Sequence, residues 1–298
     1  MKKSLLIILA VVLLSGFTQA FAQEPAPPKV LLIVREEIKP GMMPTHNRHS
    51  ADFAGIFNQL QTPNHRLALV PVAGNENEVI YLNAGESFAE LEGITKATDQ
   101  KMQAINGSMK VKMDALDKEA PALHSGMRDM LAIYRPELSF NPGVKIPEMR
   151  YFSITTTRVR PGYDATYVEY VQKVINVARQ KAKVDNLHLA LYQVVSGAPG
   201  GTYMSFRPMK SLAELDEPIG MKVRAAMNDD QRKDADKAVR EAIMSTENST
   251  YAFAPGMSYV EKRFAVADPD FWTPKPQMAM KPKPKKRAPK PPPPPPAN

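Results

Sequence analysis

The sequence contains no cysteine among its 298 residues. This absence excludes disulfides, thiolate metal sites, covalently attached c-type haem and cysteine nucleophiles. The sequence also lacks a phosphate-binding P-loop, a glycine-rich dinucleotide turn and a Gly-x-Ser-x-Gly nucleophile elbow. Its longest apolar run, residues 5–14, is about half of the ~20 residues that a membrane-spanning helix needs. No motif in the chain therefore names a reaction.

The first residues are typical of an export signal. Lys2 and Lys3 precede the apolar run, and Ala20-Phe21-Ala22 supplies the small residues of a signal-peptidase site. Phe17 occupies the position where a lipoprotein would have its lipidated cysteine, so no lipid anchor is expected. We predict a signal peptide over residues 1–22 and a short leader over 23–28. The mature protein is expected to be exported, periplasmic or secreted, without a transmembrane anchor.

Proline and lysine dominate residues 274–298. Such a segment cannot bury apolar surface, and we predict an extended, disordered tail. Removing its seven basic residues and the two lysines of the signal from the formal charge of +8 leaves a body near −1. No nucleic-acid partner is expected, because binding nucleic acid would need a basic face on the fold. Two interpretations of the tail remain open: a tether to an anionic cell-envelope surface, and a solvated low-complexity end.

Two parts of the chain repeat one pattern. Residues 30–38 form an apolar strand pattern that ends in Lys39-Pro40-Gly41, and residues 151–159 do the same before Arg160-Pro161-Gly162. Further matches follow in the same order: 64–69 with 186–191, 72–74 with 195–197, 87–91 with 211–215, and 140–143 with 253–256. Several matches in one order, at a nearly constant offset, indicate an internal duplication.

Each copy predicts the order β-α-β-β-α-β, a ferredoxin-like unit. The Pro-Gly turn ends the first strand, and a helix follows with apolar residues at helical spacing, such as Phe53, Ile56 and Phe57. Two short strands come next, then helical regions that start at Ser87 and Ser211, and a last strand near 138–140 or 250–253. We assign the first unit to 29–145, the second to 146–265 and the tail to 274–298, and expect Trp272 to pack back onto the fold.

The first strand is apolar on both of its alternating faces. Val30, Leu32 and Val34 lie on one face, and Leu31 and Ile33 lie on the other, so both faces are expected to be buried. Helices cover only one face of a ferredoxin-like sheet, and the other face needs a second sheet. The predicted fold class is therefore α+β, with two tandem ferredoxin-like units packing as an intramolecular α+β barrel.

The first strand, the two Pro-Gly turns and the helix starts after them resemble the dimeric α+β barrel superfamily. The similarity covers most of residues 29–260, with NIPSNAP proteins and antibiotic-biosynthesis-monooxygenase-like proteins as nearest relatives. The resemblance implies a barrel with a cavity between sheet and helices. Members of the superfamily include cofactor-free oxygenases, haem-binding enzymes and proteins of unknown role, so the cofactor is unknown. No catalytic motif of these families can be transferred to this chain position by position.

The strongest local candidate for a site is the start of the first helix. If this helix begins at Pro44, His46 and His49 lie on the stripe that faces the sheet. Alignment of the Pro-Gly turns matches them with Tyr167 and Tyr170. We predict that these four side chains contact a ligand, since histidine can serve as a general base or a ligand of metal or haem. No metal is assigned, because the pair lacks a clear third ligand. The alternative is a pair of half-exposed, hydrogen-bonded first-turn histidines without a ligand.

Glu36 and Glu37 end the first strand, and one of them must point towards an otherwise apolar face. A carboxylate there needs a partner or a raised pKa. We assign Glu36 to the ligand-binding residues, with Arg35 or His49 as its partner; a simple salt bridge at the strand end is the alternative. The remaining histidines, His65, His124 and His188, receive no role.

Three functions are compatible with these features. The first is an exported protein that binds a small, largely apolar molecule in the barrel cavity. The second is an oxygenase-type enzyme, cofactor-free or haem-dependent, that uses the His and Tyr pairs. The third is a structural cell-envelope protein that acts through its basic, proline-rich tail. The sequence leaves open which ligand binds, whether catalysis occurs and whether the units pack within one chain or across a dimer.

Overall fold

A computed structural model describes residues 26–273. The predicted signal peptide, the first half of the leader and the tail lie outside the described residues. Within the described range, no helix combines the length and apolar character needed to cross a membrane.

Eight antiparallel strands within residues 26–273 form one closed barrel. Their order around the barrel is β1-β3-β2-β8-β5-β7-β6-β4. The strands are β1 (Val30–Ile38), β2 (Leu67–Ala73), β3 (Glu78–Gly85), β4 (His124–Tyr134), β5 (Tyr151–Val159), β6 (Ala190–Ser196), β7 (Thr202–Met209) and β8 (Ile243–Phe253).

Closure of the barrel joins the two halves of the chain. Strand β1 pairs with β3 and β4 in the first half, and β5 pairs with β7 and β8 in the second. Two seams then connect the halves, β2 with β8 and β4 with β6. The barrel therefore closes within one chain, a point that the sequence left open.

The barrel interior holds the main hydrophobic cluster. Every strand contributes two buried residues to it, which is possible only if these side chains point inwards. They are Leu31 and Ile33, Leu67 and Leu69, Ile80 and Leu82, Met130 and Ala132, Phe152 and Ile154, Tyr192 and Val194, Met204 and Phe206, and Tyr251 and Phe253. The alternate residues of β1, such as Ile38, pack under the helices. On this face Val30 and Ile38 are buried and Leu32 and Val34 are half-buried, so the expected burial is complete on the inner face of Leu31 and Ile33 and partial on the outer one.

Helices cover the outer face of the barrel. Helix α1 has Pro44 in its first turn, as expected, and buries its sheet-facing residues, among them His46, His49, Ile56 and Phe57. The helices are α1 (Met43–Leu60), α2 (Phe88–Gln103), α3 (Gly107–Leu123), α4 (Asp164–Glu169), α5 (Asn176–Lys181), α6 (Ile219–Ala225), α7 (Asp229–Ala242), α8 (Lys262–Val266) and α9 (Pro269–Trp272). A π-helical segment, Tyr170–Ile175, joins α4 to α5.

The two predicted serine caps behave differently. The Ser87 hydroxyl accepts the Glu90 backbone N–H and caps the sixteen-residue helix α2. Ser211 caps only a short 3-10 turn, Leu212–Leu215, and helix α6 begins at Ile219. Pro218 explains the difference, because the residue before a proline is disfavoured in the helical conformation.

The prediction of a strand at 138–140 is wrong. Strand β4 ends at Tyr134, Pro136–Leu138 forms a 3-10 turn, and Phe140 makes a single bridge to Leu189. In the second half, 250–253 is the end of β8, and the 3-10 turn Pro255–Met257 follows it. The two turns correspond in position, so the alignment of Phe140 with Phe253 was out of register.

Trp272 packs against the barrel, as expected. Its side chain is buried in the interior cluster, and its Nε1–H donates to the carbonyl of Pro147 at 2.8 Å. Its ring lies 4.9 Å, between centroids, from those of Phe264 and Phe271. The segment after β8 therefore belongs to the folded body.

The seam between β4 and β6 supplies a test of closure. Gly197 follows β6 with a φ of +85°, and a Cβ there would clash with the backbone carbonyl of Asp129 in β4. We expect Gly197→Ala to lower the free energy of unfolding by at least about 2 kcal/mol. The matched control Gly200→Ala meets no atom within 4 Å and should change stability by at most about 0.5 kcal/mol. Urea unfolding measures the stability of both variants. Equal losses of stability would contradict the close contact between β4 and the end of β6.

Candidate functional site

A polar cluster lies between β1 and the helices of the first half. We call Glu36, His46, Arg66 and His124 the Glu36 cluster. His46 Nε2 lies 2.8 Å from Glu36 Oε2, and His124 Nε2 lies 3.3 Å from the same oxygen. Arg66 Nη2 lies 3.3 Å from the other oxygen, Oε1. Glu36 and His46 are buried, so four polar side chains converge under an otherwise apolar layer.

The strand ladder explains how these side chains meet. Glu36 shares the helix-facing side of β1 with Ile38, and the Pro-Gly turn after β1 leads into the first turn of α1, which holds His46. His124 ends α3 and begins β4. The pairing of β1 with β4 shifts by one residue between Glu37 and Ile38, so that Ile38 lies opposite His124. Such bulges redirect side chains, and this one sets His124 beside Glu36.

Two hydroxyl groups border the cluster. Ser50 Oγ, one turn after His46 in α1, lies 2.7 Å from Tyr81 Oη and 3.4 Å from His46 Nε2. The guanidinium of Arg66 stacks on the Tyr81 ring at 3.6 Å from its centroid. Burial raises the pKa of the Tyr81 hydroxyl well above its ordinary range, so Tyr81 is a neutral hydrogen-bonding group here.

Glu36 is ionised despite its burial. Burial alone would raise the pKa of its carboxyl, but the hydrogen bond with His46 and the charges of Arg66, His46 and His124 outweigh that effect and hold the pKa below its ordinary value. The cluster therefore presents a carboxylate, held by Arg66 on one oxygen and facing two imidazoles with the other.

The predicted partners of Glu36 are wrong. Arg35 points into the barrel, where its Nε and Nη2 donate to the two oxygens of Glu78 at 2.9 Å, and the hydroxyl of Tyr251 joins them. His49 Nε2 lies 2.9 Å from the carbonyl of Leu116 in α3. A carbonyl only accepts, so His49 uses its Nε2–H to fix α3 against α1. Because successive residues of a strand point to opposite faces, Arg35 and Glu36 lie on different sides of β1. On α1, His46 rather than His49 faces the Glu36 carboxylate.

The tyrosine pair lies over the second half of the barrel. Tyr167 is buried with its ring 4.7 Å from that of Tyr203, and burial raises the pKa of its hydroxyl to about 12. Tyr170 is half-buried and lines a cavity. No hydrogen bond or ring contact within residues 26–273 joins these tyrosines to His46 or His49. The structure thus brings Glu36 and His46 together, but not all five predicted residues.

A cavity of about 580 Å³ lies at one end of the barrel, and we call it the barrel-mouth cavity. Its walls are inward side chains from the first residues of β1, β2, β5 and β6 and the last residues of β3 and β7. The segment 142–147, the start of α8 with Glu261 before it, and the leader prolines cover it. The apolar lining includes Leu31, Leu67, Leu82, Ala84, Phe152, Ala190, Phe206 and Phe264. Charged residues such as Glu86, Glu261 and Arg263 form its rim.

A second cavity, of about 430 Å³, lies between the sheet and helices of the second half. Its floor is polar, with Ser153 and Thr155 from β5 and Asn248 from β8. Arg179 closes one side, and burial lowers the pKa of its guanidinium to about 10. This is the location of the cavity that the family resemblance implied.

Sequence reasoning missed two members of the Glu36 cluster. His124 was set aside because it follows a proline-containing helix end, and Arg66 was not considered. Both come from elements far from Glu36 along the chain, and only the pairing of β4 with β1 and of β3 with β2 brings them near. The only usable signal was the charge of Glu36 itself, which requires partners wherever it is buried.

Comparisons with known proteins identify the fold. No family model and no curated protein matches this sequence. Among solved structures, an anthrone oxidase-like protein matches 80% of this chain and 97% of its own, with 14% identity and a TM-score of 0.50. A candidate monooxygenase from Fusobacterium nucleatum matches 76% of this chain and 93% of its own (11% identity, TM-score 0.47). A mutant chlorite dismutase from Candidatus Nitrospira defluvii matches 77% and 92% (9% identity, TM-score 0.44).

The chain therefore shares the fold of the anthrone oxidase-like protein, and its closed antiparallel barrel with covering helices agrees with the α+β barrel that the sequence resemblance implied. Identities this low show the fold alone, because one fold supports many activities.

The lowered pKa of Glu36 predicts a pH-dependent stability. The carboxylate form stabilises the fold above the unfolded pKa, and this stabilisation is lost as the pH falls through the folded pKa. We expect Glu36→Gln to lower the free energy of unfolding by about 3 kcal/mol at neutral pH, as for other broken buried ion pairs. Urea unfolding between about pH 7 and about pH 3 should show this difference shrink in acid. Glu37→Gln, at the exposed neighbouring residue, is the control; a Glu36→Gln variant as stable as wild type at neutral pH would contradict the prediction.

Proposed function

We propose that this protein binds a small, largely apolar molecule in the barrel-mouth cavity. The observation that supports this most directly is an apolar space of about 580 Å³ at the end of an otherwise packed barrel. Ligand sites commonly have volumes of roughly 300–1,000 Å³ and occur in the mouths of β-barrels. Protein interiors are otherwise close-packed, so a space of this size requires an explanation.

The walls of the cavity suit an aromatic or branched hydrocarbon. Phe152 and Phe206 meet edge to face, with ring centroids 5.7 Å apart, and Tyr192 lies 5.5 Å from Phe206. These rings offer apolar faces and edges that favour tilted aromatic contacts. The hydroxyl of Tyr192 is already engaged, because it donates to the carbonyl of Pro28 at 2.9 Å. The inner cavity is therefore apolar in character.

The rim supplies the polar groups that would orient a ligand. His65 lies at the mouth with its ring 4.9 Å from that of Phe264. Burial lowers the pKa of its imidazole, with the nearby Arg263 acting in the same direction and Glu261 against it. Nδ1 of His65 accepts the backbone N–H of Glu261 at 3.4 Å, so a neutral imidazole presents its Nε2–H as a donor at the entrance. We infer a ligand with an apolar body and at most one polar end, with that end near His65.

We also propose that the two halves of the barrel derive from one duplicated unit and have since diverged. Each half pairs its first strand with its third and fourth, and each has the same register shift near the end of the first strand. The helix-facing layer of the first half contains the Glu36 cluster, whereas that of the second half contains the polar cavity. Divergence of this kind would allow one half to bind a ligand while the other half stabilises the fold.

An oxygenase-type enzyme is the second candidate, favoured by the sheet–helix cavity of the second half. Tyr170 and Arg179 line it, and they would hold and protonate an anionic substrate in a cofactor-free reaction. The haem-dependent version fits the residues poorly. Neither His46 nor His49 lines either cavity, so neither imidazole faces a space that could hold haem. Loss of oxygen uptake on an aromatic substrate panel in Tyr170→Phe would support this candidate; wild-type protein without oxygen uptake would remove it.

The proposed binding can be followed through the single tryptophan of the chain. Trp272 contacts Phe264, which lines the cavity, so a bound apolar molecule should alter its fluorescence. We expect saturable binding of the probe N-phenyl-1-naphthylamine. Ala190→Phe and Ala84→Phe each place a ring in the cavity from a different strand and should weaken binding at least tenfold, or about 1.4 kcal/mol.

Val111→Phe is the matched control for the added ring. Val111 is 70% exposed on α3, far from the cavity lining, and its substitution should leave probe affinity unchanged. Unfolding curves of all three variants separate loss of binding from loss of fold. Unchanged affinity in both cavity-filling variants, with the fold intact, would refute the proposal.

A further inference from the structure

We propose that Glu36, His46 and His124 bind one divalent transition-metal ion. One donor atom from each residue lies within 4.8 Å of the donors of the other two. The set contains two imidazole nitrogens and one carboxylate oxygen, a combination that suits zinc and ferrous iron. The proposal concerns the sheet–helix layer of the first half and is independent of ligand binding at the barrel mouth.

The orientation of His124 gives the first argument. Its Nδ1 lies 2.9 Å from the backbone carbonyl of Ala120. A carbonyl only accepts hydrogen bonds, so Nδ1–H donates to it and Nε2 is the ring nitrogen that faces Glu36. Nε2 is buried, lies 3.3 Å from an oxygen of the Glu36 carboxylate and makes no hydrogen bond within residues 26–273. A buried imidazole nitrogen without a hydrogen bond and a carboxylate oxygen beside it are suitable donors for one metal ion.

The spacing of the donors gives the second argument. Metal–ligand bonds of about 2.0–2.2 Å put neighbouring donor atoms roughly 3.3–3.6 Å apart around a tetrahedral ion. The carboxylate oxygen Oε2 of Glu36 lies 2.8 Å from His46 Nε2 and 3.3 Å from His124 Nε2. The two imidazole nitrogens lie within 4.8 Å of each other, so the three donors surround one place.

Residues around the three donors hold them in place. Arg66 occupies Oε1 of Glu36, which leaves Oε2 as the single carboxylate donor. Ala120 fixes the ring of His124, as a backbone carbonyl does for many metal-bound histidines. Nδ1 of His46 has no hydrogen-bond partner within the described part of the chain.

The second half shows that the fold does not need these donors. By the strand ladder, Thr157 corresponds to Glu36 and Ile243 to His124, beside the same register shift. Tyr167 follows its Pro-Gly turn at the same distance as His46. These three residues form the equivalent, uncharged site between sheet and helices. The fold can therefore form without the buried charge of the first half. His124 retains a side-chain exposure of 15%, although its Nε2 is buried.

The test uses the full chain without an affinity tag. Protein stripped with a chelator is titrated with Zn²⁺, Co²⁺ and, without oxygen, Fe²⁺. Bound metal is counted by mass spectrometry, and Co²⁺ absorption reports the coordination. We expect one ion per chain. Binding should be at least about 100-fold weaker in His124→Gln and Glu36→Gln, because loss of a residue that only hydrogen-bonds to a metal ligand already weakens binding up to about 100-fold. His188→Gln, at an exposed histidine of the second half, is the matched control and should bind as wild type does.

Three outcomes would overturn the proposal. Wild-type protein that binds no ion would show that a proton, not a metal, lies between His124 and Glu36. Binding that weakens equally in His124→Gln and His188→Gln would place the ion elsewhere. X-ray absorption of the zinc-loaded wild type that shows no scattering from two imidazoles would also place the ion elsewhere. This measurement does not depend on how well the variants fold. Probe binding at the barrel mouth, measured in parallel, should persist in His124→Gln.

Discussion

Strand β1 buries apolar residues on both faces, and the rest of the barrel follows from that constraint. Leu31 and Ile33 pack inside the barrel, while Ile38 packs under the helices. A sheet covered by helices on one side only would leave the inward residues in water, at about 2 kcal/mol for each large side chain. The second half of the chain removes this exposure by supplying four more strands and closing the sheet. Because the seams β2–β8 and β4–β6 join the halves, neither half buries its inner face alone.

The same strand has one charged residue on its otherwise apolar, helix-facing side. Glu36 lies among apolar residues under α1, where an unpaired carboxylate would be strongly unfavourable. Arg66, His46 and His124, from three different elements, compensate it. The result is a concentrated polar site in the first half only. Its chemistry is set by the orientation that Ala120 imposes on His124 and that Arg66 imposes on Glu36, and the pairing of β1 with β4 brings His124 to the site.

Local patterns predicted the elements well where one residue type decides the conformation. The Pro-Gly turns, the start of α1 near Pro44 and the Ser87 cap all depend on neighbours within a few residues. Predictions were wrong where similar patterns allow two outcomes. Ser211 caps only a short turn because Pro218 intervenes, and Phe140 resembles the strand end at Phe253 although the corresponding turn starts at Pro136. The site was predicted in part: Glu36 and His46 meet, but their further partners were not identified.

The sequence by itself determined the alternation of apolar residues, the order of strands and helices, and the presence of a charge on a buried strand. These features depend on periodicity and on turn residues, which are local properties of a chain. Only the tertiary structure decided which side chains reach Glu36, that the barrel closes within one chain, and where the cavities lie. Those outcomes depend on pairing between residues far apart in sequence, such as Ile38 with His124. A one-residue shift of register there would turn His124 away from the carboxylate.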